Sequence, residues 1–441
     1  MLDERSAKAL QQDPMQIYRN KWNQNHRSVS SKYDILGFIS SGTYGRVYKA
    51  QSLETPTNLY AIKKFKPDKE GEVVTYTGLS QSAIREIALN REIDHENVVA
   101  LKEVILEDKS IFMVFEYAEH DFLQIIHHHL QTVRTSISMS VLKSLIYQLL
   151  NGLVYLHSCH ILHRDLKPAN ILITSDGVVK IGDLGLARLI YEPLQPLYAG
   201  DKVVVTIWYR APELLLGAKH YTTAVDCWAV GCVMAELLSL RPIFKGEEAK
   251  LDSKKTMPFQ RDQLLKIFEV LGTPDEKDWP GVVTMPEYYN MSRLDHFPGQ
   301  LTQWCIQRVR KDALADVNDL LAKLFTYDPE SRLTAKDALH HHWFQSGTKP
   351  TKNAFQTAPQ KDLPPLRKVS QDDAPSMIPL LPNASHQGSR GGGGVPYVTG
   401  ASGQSYSKPL SSVSFASLSG GGSYEGRQMD GSSKKKKAKL G

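Results

Sequence analysis

The stretch that decides the fold is HRDLKPAN, residues 163–170, which a DLG tripeptide beginning at Asp183 follows after the spacing of a short strand and turn. The string places Asp165, Lys167 and Asn170 in one loop, and Asp183 adds a second carboxylate. Phosphoryl transfer needs little from a protein beyond a positioned hydroxyl, neutralised phosphate oxygens and a held magnesium ion. Two carboxylates, an amide and an ammonium are groups of the types that could supply those parts; the alternative is a chance helix cap and turn.

The string and the DLG tripeptide resemble the catalytic loop and the metal-binding corner of protein kinases. This resemblance implies that Asp165 accepts or orients the proton of the attacking hydroxyl, and that Lys167 lies near the transferred phosphate. It also implies that Asn170 and Asp183 hold Mg²⁺, with ATP as the phosphate donor. The expected fold is α+β and bilobal, with a small β-rich lobe carrying one helix and a larger, mainly helical lobe.

A glycine-containing stretch at residues 39–47 resembles the kinase loop that covers the phosphates of the nucleotide. It departs from the pattern at Ser40, which stands where the first glycine is usual. No Gly-Lys-Ser/Thr string is present, so a P-loop nucleotide site is not expected. The kinase resemblance implies instead that the nucleotide binds between the lobes. The predicted nucleotide-binding residues are Ile39, Ser40, Ser41, Gly42, Thr43, Tyr44, Gly45, Arg46, Val47, Ala61, Lys63, Glu116, Ala118 and Leu172.

Lys63 lies in a predicted strand, Leu59 to Phe65, and Glu86 lies in a predicted helix, Gln81 to Arg91. A lone lysine in a strand is normally a solvated surface group. Here matching motifs flank it on both sides, which favours a catalytic role. The resemblance implies that Lys63 holds the α and β phosphates and that an ion pair with Glu86 fixes its direction.

Further along, Ala-Pro-Glu at 211–213 and Asp226 complete the set of kinase motifs. In kinases the glutamate that corresponds to Glu213 pairs with a distant arginine, here Arg332, and the resemblance gives both a structural role. Asp226 is assigned a structural role in the same way. The motifs therefore span residues 33–344.

Lys167 within HRDLKPAN resembles the serine/threonine class of kinases, and residues 79–86 resemble the cyclin-binding helix of cyclin-dependent kinases. The absence of Thr-x-Tyr between Asp183 and Glu213 argues against the mitogen-activated kinases. Residues 205–210 resemble the segment that favours proline after the phosphorylated residue. Ser-Pro and Thr-Pro substrates are therefore expected.

Asp201 stands where typical cyclin-dependent kinases carry an activating phosphothreonine. An aspartate brings one negative charge and two oxygens, whereas a phosphothreonine brings about −1.5 to −2 charges and three acceptor oxygens. One hypothesis is that Asp201 replaces the phosphate and that a partner protein completes the ordering of the loop; the alternative is a solvated loop aspartate. The arginines expected to gather around this position are Arg85, Arg164 and Arg188.

Together with residues 117–121 (YAEHD) and the DLG tripeptide, Asp201 makes the chain resemble the cyclin-C-partnered kinases of the Mediator complex. That resemblance implies a C-type cyclin and Mediator subunits as partners, and transcription factors and the C-terminal repeats of RNA polymerase II as substrates. It also implies a nuclear location. The lysines at 434–437 and 439 are either a nuclear import signal or solvated tail residues.

Composition divides the chain into four parts: an extension at 1–32, lobes at 33–118 and 119–345, and a tail at 346–441. The extension is either a cyclin-docking helix or a frayed leader. The tail holds 14 of the 30 glycines and is expected to be disordered.

The formal net charge of +6 is concentrated in that tail, which carries 13 Lys plus Arg against 5 Asp plus Glu. The rest of the chain, with 40 basic and 42 acidic residues, is nearly neutral, so nucleic-acid binding by the folded part is not expected. No apolar run approaches the length of a membrane span, so membrane insertion is not expected either. The main alternative to an enzyme is a scaffold that uses a kinase fold to assemble a transcription complex.

Overall fold

The computed structural model describes Met15, Tyr18 and residues 28–41, 45–65, 81–107, 110–190, 206–249, 258–367 and 369–370. These residues form a sheet lobe and a helical lobe, so the predicted bilobal α+β fold is confirmed. The predictions for Gly42, Thr43, Tyr44 and Asp201, and for the chain after residue 370, lie outside the described residues.

The sheet lobe is built on five antiparallel strands in the order β1-β2-β3-β5-β4. Tyr33, Ile62 and Val114 belong to the apolar cluster on one side of the sheet, and Phe65 and Met113 belong to a second cluster with Ala83 of the helix Gln81–Glu92. The elements are β1 Tyr33–Ser41, β2 Gly45–Ser52, β3 Leu59–Phe65, α1 Gln81–Glu92, β4 Leu101–Glu107 and β5 Ser110–Glu116.

The helical lobe is organised around two long buried helices, Met139–Ser158 and Ala224–Ser239. The first begins at Ser138, whose side chain accepts a hydrogen bond from the Val141 N–H, the usual role of an N-cap serine. It is long and apolar enough to cross a membrane by length and composition, but 67% of its apolar window is buried inside the fold, as in a core helix. In the second, residues 224–238 are all buried, which explains why its apolar residues follow no single stripe.

The remaining elements of this lobe are short strands near the cleft and helices around the core. The strands are β6 His120–Asp121, β7 Ile161–Leu162, β8 Ile171–Ile173, β9 Val179–Ile181 and β10 Arg188–Leu189. The α-helices are α2 Phe122–His128, α3 Met139–Ser158, α4 Pro212–Leu215, α5 Ala224–Ser239, α6 Arg261–Leu271, α7 Tyr288–Met291, α8 Leu301–Ile306, α9 Leu314–Leu324, α10 Ala335–Leu339 and α11 His342–Gln345.

The expectation that disorder begins at residue 346 is wrong for the described residues that follow. We call residues 346–370 the C-terminal segment; all of them except residue 368 are described. Ala354 is 1% exposed and belongs to the core of the helical lobe. The segment is poor in apolar residues, but it is ordered by hydrogen bonds to buried side chains, such as those from Gln148 to the carbonyls of Thr351 and Lys352.

Candidate active site

Lys63 lies between two carboxylates in the cleft. Its Nζ is 2.7 Å from Glu86 Oε1 and 2.9 Å from Asp183 Oδ1. Burial alone would lower the pKa of Lys63, but the charges of Glu86 and Asp183 outweigh it and raise that pKa above its ordinary value. Burial likewise works against the charged form of Asp183, yet the Lys63 ammonium holds the pKa of that carboxyl below its usual range. Strand β3, helix α1 and the DLG corner thus present one charged cluster.

The loop of residues 163–170, called the catalytic loop below, orients Asp165 by hydrogen bonds to one of the two carboxylate oxygens of Asp165. Asp165 Oδ2 accepts hydrogen bonds from Lys167 Nζ at 2.7 Å and from Asn170 Nδ2 at 2.9 Å. Asp165 Oδ1 is buried and has no hydrogen-bond partner among the described residues. A buried carboxylate oxygen without a donor is costly unless a ligand supplies one. The geometry therefore leaves Oδ1 ready to accept a hydrogen bond from a substrate hydroxyl.

Asp226 holds the backbone of this loop in place from helix α5. Its Oδ1 accepts from the Arg164 N–H at 2.8 Å, and its Oδ2 accepts from the His163 N–H at 2.9 Å. Arg164 has φ of 69°, a left-handed conformation that is unfavourable for a residue other than glycine. His157 Nε2 also lies 3.0 Å from Asp226 Oδ2. Burial opposes the charge on Asp226, but its hydrogen bond with His157 and the nearby histidines keep the pKa of Asp226 below its ordinary value.

Between the lobes lies a cavity of about 870 Å³, within the range usual for small-molecule sites. Asp165, Asn170 and Asp183 line one end of it, and Phe115 and Ala118 lie along the link between the lobes. The predicted nucleotide-binding residues that line this cavity are Ile39, Ser40, Ser41, Gly45, Val47, Ala61, Lys63, Glu116, Ala118 and Leu172.

Among the predicted nucleotide-binding residues that the structure describes, Arg46 alone does not line the cavity, and its assignment stays a prediction. Gly45 and Val47 line the cavity, whereas the side chain of Arg46 is exposed and does not line it. Successive side chains of a strand point to opposite faces, and Arg46 lies between two β2 residues that line the cavity.

Several cavity-lining residues were not found by sequence reasoning. Asp121 lines the cavity and also caps helix α2 by accepting from the Gln124 N–H at 2.7 Å. Pro365, Leu366 and Arg367 line it from the C-terminal segment. Asp121 belongs to the quoted YAEHD string, but no motif or periodicity marks residues 365–367.

The donor set at the inner end of the cavity fits a magnesium ion. Mg²⁺ prefers hard oxygen ligands, usually one or two protein groups together with phosphate oxygens and water. Asp183 offers a carboxylate, and its side chain is 44% exposed to the cleft. Asn170 Nδ2 donates to the backbone carbonyl and to Oδ2 of Asp165, an arrangement that leaves the amide oxygen for a cation. Asp183 and Asn170 would hold the ion, which would neutralise charge on the phosphates.

Two further groups of predicted residues lie away from the cavity. Arg332 and Glu213 form a two-pronged ion pair in the helical lobe, with distances of 2.7 and 3.0 Å. Arg85, Arg164 and Arg188 are half-buried, in helix α1, the catalytic loop and strand β10. Because Asp201 lies outside the described residues, the expected grouping of the three around it remains a prediction.

The groups that phosphoryl transfer needs thus meet in one cleft between two lobes. This is the arrangement of a protein kinase. The family described as "Protein kinase domain" matches residues 33–344, which is more than half of the chain, so the chain belongs to the protein kinase family.

Three curated relatives narrow the class, and each is named a serine/threonine-protein kinase ssn3. Those from Neosartorya fischeri and Aspergillus oryzae are both 57% identical over 82% of this chain, covering 88% and 91% of the relatives. The relative from Coccidioides immitis is 58% identical over 82% of this chain and 80% of its own length. The chain is therefore a serine/threonine-protein kinase, as HRDLKPAN predicted.

Proposed function

We propose that this chain is a cyclin-activated, proline-directed kinase that uses magnesium ATP and regulates RNA polymerase II transcription. Its substrates would be the C-terminal repeats of the polymerase and transcription factors, and its partners a C-type cyclin and Mediator subunits. The observation that carries the proposal is the arrangement of helix α1. This helix presents Glu86 to Lys63 on its inner side and leaves Ile84 46% exposed on its outer side.

A partner that covers the outer side of helix α1 would act directly on the active site. Ala83 and Glu86 are buried, with relative exposures of 0% and 1%, so any shift of the helix moves the Lys63–Glu86 pair. A large exposed apolar side chain such as Ile84 gains free energy when a partner buries it, by about 25 cal/mol per Å². Activation by a cyclin that docks there is thus consistent with the fold.

The proposed preference for proline rests on residues 205–210, of which 206–210 are described. This segment is fixed by two side-chain anchors. Trp208 Nε1 donates to the Gly246 carbonyl at 2.8 Å, and the Tyr209 hydroxyl donates to Glu236 Oε2 at 2.6 Å. A rigid segment of this kind can discriminate between residues that follow the phosphorylated serine, because it cannot adapt to each of them.

The test is phosphate transfer to a Ser-Pro peptide and to its Ser-Ala counterpart, with and without a C-type cyclin. We expect the cyclin to raise kcat/KM for the Ser-Pro peptide by at least about tenfold, equivalent to about 1.4 kcal/mol.

In the same complex, Asp201→Ala is expected to lower the stimulated rate, because the variant lacks the carboxylate proposed to pair with Arg85, Arg164 and Arg188. Asp201→Thr is expected to be equally impaired when the threonine is not phosphorylated.

Each part of this proposal fails on a separate result. Equal rates with and without the cyclin would contradict cyclin activation, and equal rates on the two peptides would contradict proline direction. Unchanged activity of both Asp201 variants would contradict the replacement of the phosphate by Asp201. Normal activity on any serine peptide would still leave the kinase assignment intact.

The proposed nuclear location rests on the lysines at 434–437 and 439, which lie outside the described residues. A compact basic cluster in a polar tail is typical of an import signal. We expect replacement of these lysines by glutamine to move a fluorescently tagged chain from the nucleus to the cytoplasm. A nuclear signal that is unchanged in the variant would contradict this role.

A further inference from the structure

The C-terminal segment is attached firmly to the helical lobe at its beginning. Gln148, which is buried in helix α3, donates to the Thr351 and Lys352 carbonyls at 3.2 and 3.0 Å. The Ala354 N–H donates to the Gly177 carbonyl at 3.0 Å. A Cβ atom at Gly177 would collide with Asn353, so the close approach requires glycine. This end of the segment is therefore built into the lobe.

The segment then passes along the link between the lobes. The ring of Phe355 packs edge-on against His120, and His128 Nε2 donates to the Lys361 carbonyl at 2.9 Å. Arg367 reaches Asp121 Oδ2 at 2.5 Å, with side-chain exposures of only 17% and 13%. Asp121 is the N-cap of helix α2, so the ion pair joins the segment to a fixed point at the cavity wall.

At its far end the segment reaches the sheet lobe. Ser370 and Phe38 exchange both backbone hydrogen bonds, at 2.9 and 3.1 Å, in an antiparallel bridge. Phe38 belongs to β1, which is an edge strand of the five-stranded sheet and therefore has unpaired backbone groups to offer. A Cβ atom at Gly37 would collide with Val369, so the segment lies directly against the strand.

Between these attachments, Pro365, Leu366 and Arg367 line the cavity. Leu366 is 68% exposed at this point of the segment. The segment thus connects both lobes and also contributes to the wall of the site.

We propose that the C-terminal segment is a latch across the open side of the cleft, closed by the Arg367–Asp121 ion pair, that slows the release of nucleotide. The inference rests on nucleotide binding in this cavity, which is part of the proposed function. Separation of the lobes would have to break the bridge at Ser370 or the ion pair at Arg367. Arg367 is on this view a positioning residue, since it acts by holding Asp121 and the segment in place.

The test is the dissociation rate of a fluorescent ADP analogue from the full chain, measured by stopped flow. We expect Arg367→Ala to raise this rate about tenfold, equivalent to about 1.4 kcal/mol, and to raise KM for ATP with little change in kcat. Arg367→Lys, which keeps the charge, is expected to restore part of the effect. Lys361→Ala is the matched control, because Lys361 contacts His128 only through its backbone carbonyl.

A double-mutant cycle separates the ion pair from other effects. Asp121→Asn keeps a good N-cap residue and removes the charge, so the variant is expected to fold. If the pair is the closure, the double variant releases ADP no faster than either single variant, because coupled residues are not additive. A melting temperature close to that of wild type would show that the faster release is not a result of unfolding.

Three results would overturn the proposal. One is a dissociation rate for Arg367→Ala within twofold of wild type, and another is additive effects in the cycle. The third is slower release or a lower KM in Arg367→Ala, which would mean that the segment obstructs the nucleotide. If wild type itself binds no ADP analogue, the assignment of the cavity to a nucleotide fails as well, and this outcome is distinguishable from the other three.

Discussion

Replacement of Asp165 by asparagine is expected to lower kcat for peptide phosphorylation by about 10²- to 10⁴-fold, the usual effect of losing a positioned acid or base. Asp165 Oδ2 already accepts hydrogen bonds from Lys167 and Asn170. An asparagine would keep its amide oxygen toward these donors and place its NH₂ group where Oδ1 now lies. That position could no longer accept the proton of a substrate hydroxyl.

The measurement is the steady-state transfer of the γ-phosphate of ATP, with kcat and KM determined separately. We expect KM for ATP to change little, because the lost interaction is made in the transition state. Asp176→Asn is the matched control, since Asp176 is exposed in the turn between β8 and β9. Near-normal turnover of Asp165→Asn would contradict the role of this aspartate and favour the scaffold alternative.

The second large effect is expected on stability. Arg332→Ala should lower the free energy of unfolding by about 3–5 kcal/mol, because it leaves the carboxylate of Glu213 buried without its partner. The two side chains are 0% and 2% exposed, and Arg332 also donates to the carbonyls of Thr326, Ala224 and Tyr327. One substitution therefore leaves several buried acceptors without a donor.

Urea unfolding followed by circular dichroism measures this difference. Arg310→Ala is the control for a surface pair, since Arg310 and Asp312 are 84% and 70% exposed and such pairs contribute about 0–1 kcal/mol. The structural role of the buried pair would be contradicted if the two variants lost the same stability. Replacement of Arg332 and Glu213 together by apolar residues should recover part of the loss, because no charge is then stranded.

Much of the fold could be predicted from the sequence, because its apolar residues follow the periods of helices and strands. Strand β3 begins and ends at the predicted residues, Leu59–Phe65, and helix α1, predicted over Gln81 to Arg91, ends one residue later at Glu92. Strand β4 begins at Leu101, although Val98 and Val99 just before it are also apolar and buried. Val98 is buried because it forms an isolated β-bridge with Ile181 of the other lobe. The local pattern of apolar residues cannot distinguish a residue in such a bridge from a residue in a strand of the five-stranded sheet.

The active site was largely predictable for a different reason. Lys63 and Asp183 are 120 residues apart, but each lies in a short motif whose chemistry requires the other. The ion pair between Asp121 and Arg367 spans 246 residues and has no such signal. The C-terminal segment is held by backbone hydrogen bonds and single contacts, which leave no periodicity in the sequence. Its polar composition therefore predicted disorder, whereas specific partners order it as far as Ser370.

We infer that Asp165 directs phosphate transfer in the cleft where Lys63 and Asp183 meet. The most direct measurement is the initial rate of phosphate incorporation into a Ser-Pro peptide by wild type and by Asp165→Asn, side by side at saturating magnesium ATP with the cyclin present. We expect steady incorporation by wild type and a rate at least about a hundredfold lower for the variant. Equal rates from the two proteins would contradict it.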